Sequence, residues 1–202
     1  IAPNIATILE RNNGEILIGT SGHSMFLLET KGDSINARQI SQFIPSNLIT
    51  SAYEDKKGNL WISTGDNGIF RFDENNQSKH YSGEKDIAKN TVSSMCEDYQ
   101  GNLYMSSLKK GLFIYNDKAD TFIPIIYTPN PNLPIKILYP GNQNEIFIGT
   151  DGSGIKIYDT QEQKIKEANF NITTFNLKKA KVHSILKDKI GNTWLGFFQK
   201  GV

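Results

Sequence analysis

Five short segments of this 202-residue chain repeat one another: Gly14-Glu-Ile-Leu-Ile-Gly-Thr20, Gly58-Asn-Leu-Trp-Ile-Ser-Thr64, Gly101-Asn-Leu-Tyr-Met-Ser-Ser107, Asn144-Glu-Ile-Phe-Ile-Gly-Thr150 and Gly191-Asn-Thr-Trp-Leu-Gly-Phe197. Successive copies are offset by 44, 43, 43 and 47 residues. That period is the length of one four-stranded blade, so the spacing predicts an all-β chain of antiparallel β-propeller blades. The repeats tile the sequence at about 5–47, 48–90, 91–133, 134–181 and 182–202.

Within a repeat, strand-length apolar pieces alternate with Gly, Asn and Asp, as in consecutive hairpins. The clearest copy runs Leu48 to Asp55 (strand A), a turn through Gly58-Asn59, Leu60 to Thr64 (strand B), Gly65 to Gly68, and Ile69 to Asp73 (strand C). A more variable strand D is expected around Lys79–Tyr81, Thr121–Ile123 and Lys164–Lys166. Strand B carries Leu60-Trp61-Ile62 without polar alternation, so it must be covered on both faces, as between neighbouring blades. Trp61, Tyr104, Phe147 and Trp194 share one position, and packing between blades explains an aromatic there in four repeats. The turns Asp55-Lys-Lys-Gly58-Asn59, Asp98-Tyr-Gln-Gly101-Asn102 and Asp188-Lys-Ile-Gly191-Asn192 hold one carboxylate each, too few for a calcium loop, and read as turn chemistry.

These residues resemble the two-component regulator propeller repeat, with its Glu-Asp-x-x-Gly-Asn-Leu-Trp-Ile-x-Thr and following Gly-x-x-Gly-Ile/Leu-Phe. The likeness is clearest over Glu54–Phe72 and Glu97–Tyr115, and weaker at Tyr139–Tyr158, which lacks the turn Asp. The resemblance implies the periplasmic, non-catalytic sensor part of a hybrid two-component system protein. Such a protein detects polysaccharide-derived oligosaccharides and signals to carbohydrate-utilisation genes. It also implies a homodimer in the full-length protein and a membrane helix downstream, with kinase parts outside this sequence. Four and a half repeats then make a segment of a larger propeller of about seven blades.

Composition fits that expectation. Twenty-two basic and 21 acidic residues, a net charge of +1, give no basic stripe for nucleic acid. The lone Cys96 excludes an internal disulfide and reads as a small buried hydrophobe. His80 and His183 lack zinc-ligand spacing, and no metal or cofactor is expected. Asn76-Gln-Ser78 and Asn171-Ile-Thr173 match the glycosylation sequon by composition alone.

In a propeller, the B-to-C and D-to-A connections share one face. Repeats keep their scaffold alike and vary what binds, which makes the polar residues of these loops the candidates. They are Ser21, His23 and Ser24; Asp66 and Asn67; Lys109 and Lys110; Asp151 and Ser153; and Gln199 and Lys200. The set proposed for ligand binding is Lys109, Lys110, Asp66, Asn67, Asp151, Ser153 and His23, with the lysine pair suited to an acidic sugar. Two alternatives carry other chemistry: a propeller glycosidase or lyase using Asp66 and Asp151, and a lectin or protein-interaction scaffold.

Overall fold

The computed structural model describes residues 4–32, 34–40, 44–83, 87, 91–168 and 176–198. Gln199, Lys200 and the sequon at Asn171 lie outside the described residues. The chain forms two compact units, residues 1–92 and 93–202.

In the first unit, β1 (Asn4–Glu10), β2 (Ile16–Ser21), β3 (Met25–Lys31) and β4 (Ser34–Gln39) make one antiparallel sheet in chain order. A second sheet follows from β5 (Ile49–Glu54), β6 (Leu60–Thr64), β7 (Ile69–Phe72) and β8 (Ser78–Tyr81). The second unit repeats the plan with β9 (Val92–Glu97), β10 (Leu103–Ser107), β11 (Gly111–Asn116) and β12 (Thr121–Ile125). Next come β13 (Ile135–Pro140), β14 (Glu145–Thr150), β15 (Ile155–Asp159) and β16 (Lys164–Glu167), then the pair β17 (Val182–Lys187) and β18 (Thr193–Phe197). Each four-stranded sheet is one blade of the expected kind.

The core lies between sheets, where the apolar runs of strand B had to be covered. Leu17 and Met25 of the first sheet meet Ile49, Ile62 and Phe70 of the second. In the second unit, Cys96, Tyr104 and Leu112 meet Ile135, Leu138 and Ile146, while Phe147 and Ile155 meet Val182, Ile185 and Leu195. All five residues of β10 are buried. Burial pushes the Cys96 thiol far up, with Asp98 and Glu97 adding to the shift, so the cysteine is a packing residue.

One aromatic departs from the expectation. Trp61, Tyr104 and Phe147 are buried, but Trp194 is 52% exposed. Among the described residues no sheet packs on the face of β17–β18 that carries it. The packing of that position therefore depends on a neighbouring blade and is not a property of the residue alone.

A feature that the repeat pattern does not announce is a bulge in strand A. The A–B register slips between Ile5 and Thr7, Ile49 and Ser51, Ile135 and Ile137, and Val182 and Ser184. Each slip leaves one residue unpaired, namely Ala6, Thr50, Lys136 or His183. The Thr50 hydroxyl donates to Val92 O at 3.0 Å. In β9, Ser93 stands at the position of Thr50 and donates to Ile135 O at 2.7 Å. At this position of strand A, Thr50 and Ser93 thus each turn a hydroxyl to a main-chain carbonyl 42 residues ahead.

Candidate functional site

The A–B turns show how the repeat is locked. The Asp55 carboxylate accepts from Lys57 N, Asn59 N, Asn59 Nδ2 and, at 2.8 Å, Trp61 Nε1. Asp98 accepts from Gln100 N, Asn102 N, Asn102 Nδ2 and the Tyr104 hydroxyl. Asp188 accepts from Ile190 N, Asn192 and Trp194 Nε1. The Trp194 hydrogen bond leads the interactions that hold the Asp188 carboxyl below the usual carboxylate range. Burial, then the charge of Asp98, raises the Tyr104 hydroxyl in turn.

The other two turns follow the same logic in reverse. Gly141 replaces the aspartate where the aromatic is Phe147, and Arg11 replaces it where the position holds Leu17. Neither Phe147 nor Leu17 has a polar hydrogen that needs an acceptor. Turn Asp and aromatic, read separately in the sequence, are one unit. Arg11 bonds instead to Glu54, whose side chain is 7% exposed, and to Glu15.

On the opposite loops, a buried Thr ends strand B and organises the turn beyond it. Thr20, Thr64 and Thr150 each donate to the carbonyl four residues on, at Ser24, Gly68 and Gly154, and each accepts the amide three residues on. The residue four beyond has positive φ: +79° at Gly68, +69° at Gly154, and +64° at Ser24. Ser24 pays for its side chain twice, because its buried Oγ has no hydrogen-bond partner among the described residues. We expect Ser24→Gly to raise the stability of the first unit by about 1 kcal/mol, from removal of left-handed strain alone. A urea midpoint that stays put or falls would show that the hydroxyl is satisfied and the strain relieved elsewhere.

The sequence candidates are placed as follows. In the first unit, His23 is exposed, with its amide on Thr20 and its carbonyl accepting from Gln39. Asp66 accepts from the Ser46 hydroxyl. Asn67 donates to Pro45 O, and its own carbonyl accepts from His80 Nε2 at 2.6 Å. His80 also stacks on Phe70, 4.3 Å between ring centres. Segment 44–48 therefore brings Asp66 and Asn67 together through Pro45 and Ser46, while Asn47 O accepts from Gly22 N and Ser24 N. This is the expected meeting of D-to-A and B-to-C connections on one face.

In the second unit, Asp151 pairs with Lys181 at 3.1 Å. Ser153 O accepts from the buried Lys156 Nζ at 2.7 Å, and the same ammonium pairs with Glu167 at 2.8 Å. Burial opposes ionisation of Glu167, but the hydrogen bond and charge of Lys156 prevail and hold its carboxyl below the usual range. Lys109 and Lys110 stand apart: their loop is closed by Lys109 N donating to Ser107 Oγ, and both side chains are exposed. His183 stacks against Phe198 at 5.2 Å.

Two clefts lie elsewhere. In the first unit, about 310 Å³ opens beside Leu27, Ile40, Leu60 and Phe72. Its guanidinium groups are already paired, Arg11 with Glu15 and Glu54, Arg38 with Glu29. In the second unit, about 660 Å³ lies on the A–B turns, lined by Tyr99, Tyr139, Asn142, Gln143, Lys187 and Asp188. These residues lie on the A–B turns, away from the variable B–C loops that carry the sequence candidates.

Residues 44–66 match the family model described as two component regulator propeller. No curated protein matches the sequence. Among solved structures, the chain is similar to the extracellular domain of a protein from B. thetaiotaomicron described as a hybrid two component system. That likeness has TM-score 0.76 and 21% identity, over 98% of this chain and 26% of that one. A second such extracellular domain from the same organism gives 0.64 and 17%, over 97% and 31%. PorZ of Porphyromonas gingivalis, a surface component of the type-IX secretion system, gives 0.69 and 17%, over 96% and 32%. The chain thus spans about a quarter to a third of these solved chains. Among the described residues no helix is long and apolar enough to cross a membrane. The chain is built of β-propeller blades and carries, over residues 44–66, a two component regulator propeller repeat.

Proposed function

We propose that this chain is part of the periplasmic sensor region of a hybrid two-component system protein, and that it takes part in detecting polysaccharide-derived oligosaccharides. The observation that carries this reading is the regulator propeller repeat at 44–66, set in blades like those of the extracellular domains of such systems. Ligand would stabilise one arrangement of paired sensor regions, and the membrane helices would report the shift to the kinase. The site proposed is the B–C loop face, with Lys109 and Lys110 as its foremost residues. They are exposed cations, whereas Asp66, Asn67 and Asp151 are already engaged within the fold.

The same engagement supports a non-catalytic role. A glycosidase needs two carboxylates free to donate and accept protons, and the Asp66 and Asp151 carboxylates are committed to Ser46 and Lys181.

The test is a thermal-shift screen of the intact protein against neutral and acidic oligosaccharides, beside the Lys109→Ala/Lys110→Ala variant. We expect a saturable rise in melting temperature with an acidic oligosaccharide, abolished in the variant. No shift with any oligosaccharide would overturn the saccharide reading. A shift that the variant keeps would move the site off this loop.

A further inference from the structure

We infer that the B–C loop face of the second unit is an extended cationic strip that takes a linear glycan carrying a carboxylate or sulfate on successive residues; this rests on the reading above that the chain binds acidic oligosaccharides at Lys109 and Lys110. The net charge of +1 hides an uneven distribution. In the first unit the B–C loops 21–24 and 65–68 hold one acidic residue, Asp66, and no lysine or arginine. In the second unit the loops of this face carry Lys109, Lys110, Lys178, Lys179 and Lys181. Main-chain contacts make these loops one surface. A Cβ at Gly111, next to Lys110, would stand 3.2 Å from Pro131 O. Asp151 N donates to Pro134 O at 2.8 Å, and Gly154 N donates to Ala180 O at 3.0 Å. Segments 108–111, 131–134, 151–154 and 177–181 therefore lie side by side. Lys136 joins them because its neighbour Ile135 pairs with Thr150, the residue before Asp151.

Among the described residues this face has two carboxylates, and each is paired. Glu167 meets the buried Lys156 ammonium at 2.8 Å and accepts from the Tyr127 hydroxyl at 3.1 Å. Asp151 meets Lys181 at 3.1 Å. Both pairs cancel locally, so the charge left over is that of five lysines. Lys109, Lys110, Lys178 and Lys179 are exposed, and Lys136 is half-buried. Among the described residues none of these five ammonium groups has an ion pair or a hydrogen bond. The connection 126–134, which lies between Lys110 and the others, has no charged residue to interrupt the strip. Lys109–Lys110 and Lys178–Lys179 are sequence neighbours, each pair within a Debye length, so they repel until an anion relieves them.

The chemistry selects the ligand class. Lysine ammonium groups are point charges with rotatable donors, and they take sulfate or carboxylate without a fixed approach. A single exposed contact of this kind is weak. Affinity must come from several made at once along one chain, which a short acidic sugar cannot supply. A lipid surface is the poorer match, because Lys136 is half-buried at the bulge of β13 and not at a loop tip. A narrow chain of sugars can reach down to it, whereas a flat bilayer surface meets only the tips. Binding would release the counterions condensed on the polyanion, so affinity should fall steeply with salt.

The experiment is isothermal titration of the intact protein, at low and high salt, with the octasaccharides and disaccharides of polygalacturonate and of ι-carrageenan. It is repeated with Lys178→Ala/Lys179→Ala, Lys178→Arg/Lys179→Arg and Lys136→Ala. One octasaccharide is expected to bind about tenfold or more tighter than its disaccharide, and which one does so separates carboxylate from sulfate. Lys178→Ala/Lys179→Ala should weaken that octasaccharide by about tenfold or more. The arginine variant should keep the affinity, and Lys136→Ala should lose part of it. The disaccharide, held at Lys109 and Lys110, should bind all three variants as it binds the parent. The urea midpoint serves as the control that each variant folds. Octasaccharide affinity unchanged in Lys178→Ala/Lys179→Ala would overturn the extended strip and leave the sensor reading standing. Neither octasaccharide binding the parent would overturn it as well, in favour of a lipid surface if phosphatidylglycerol vesicles capture the protein. Only a blank thermal screen in addition would remove the saccharide reading.

Discussion

Replacing Asp55 with Ala is expected to destabilise the first unit by about 3 kcal/mol, the scale of losing charge-assisted hydrogen bonds and stranding a buried donor. The carboxylate is buried and serves four donors, and one of them, Trp61 Nε1, belongs to a side chain with no solvent exposure. Water cannot replace the lost acceptor without opening the packed space between sheets. The decisive arm is the double substitution. In a Trp61→Phe background the indole donor is gone, so Asp55→Ala should cost less there, by about 1 kcal/mol or more of coupling. The fourth repeat already has this combination, in Gly141 and Phe147. Urea unfolding of the four proteins gives the answer. Equal costs in both backgrounds would mean that the aspartate acts only on the turn. The matching change at Asp188 should cost less than at Asp55, since Trp194 is half exposed and water reaches its indole.

The second large effect is expected at Gly149, where Ala should cost about 2 kcal/mol through overpacking. A Cβ there would stand 2.4 Å from Ile137 Cγ2 and 2.9 Å from Val182 Cγ1. Both are packed side chains, and Val182 has no exposure. Across the repeats, the size of this residue is matched to its neighbours. Ser63 pairs with Ser51, whereas Gly149 pairs with Ile137 and Gly19 lies against Ile49. Truncating the partner should therefore relieve the clash, and Gly149→Ala in an Ile137→Ala background should be cheaper by about 1 kcal/mol. If the two costs simply add, β14 has room to shift and the glycine is not set by packing.

How much of this was legible beforehand can be told from single positions. The hairpin order could be read because strand B carries an unbroken apolar run and three of the turns spell Asp-x-x-Gly-Asn, which local physics suffices to interpret. The burial of Trp61 and the exposure of Trp194 could not be separated, because both follow the same Asp-Lys-x-Gly-Asn turn and the difference lies in what covers them. The bulges at Thr50 and Lys136 were hidden for a similar reason: an extra residue in strand A leaves the apolar pattern intact. On the candidate face, sequence variation selected Asp66, Asn67 and Asp151 along with the lysines. Only geometry shows that Ser46, Pro45 and Lys181 already hold these three. The cleft lined by Tyr99, Tyr139, Asn142 and Lys187 was invisible because its walls come from turns far apart in sequence.

The strand A hydroxyls of Thr50 and Ser93 bear on how such a chain can grow. Thr50 reaches Val92 O and Ser93 reaches Ile135 O, in both cases 42 residues ahead. The amide of Leu138 likewise meets Ser94 Oγ, 44 residues behind. Two repeats thus carry, at one shared address, a fastener whose receiving group is main chain, which every copy possesses. A tandem duplication of about 43 residues would then be born compatible with its neighbours, as expected where stability is a sum of unit and nearest-neighbour terms. Copy number can drift by recombination before any residue has to change, and the loops are left to diversify afterwards.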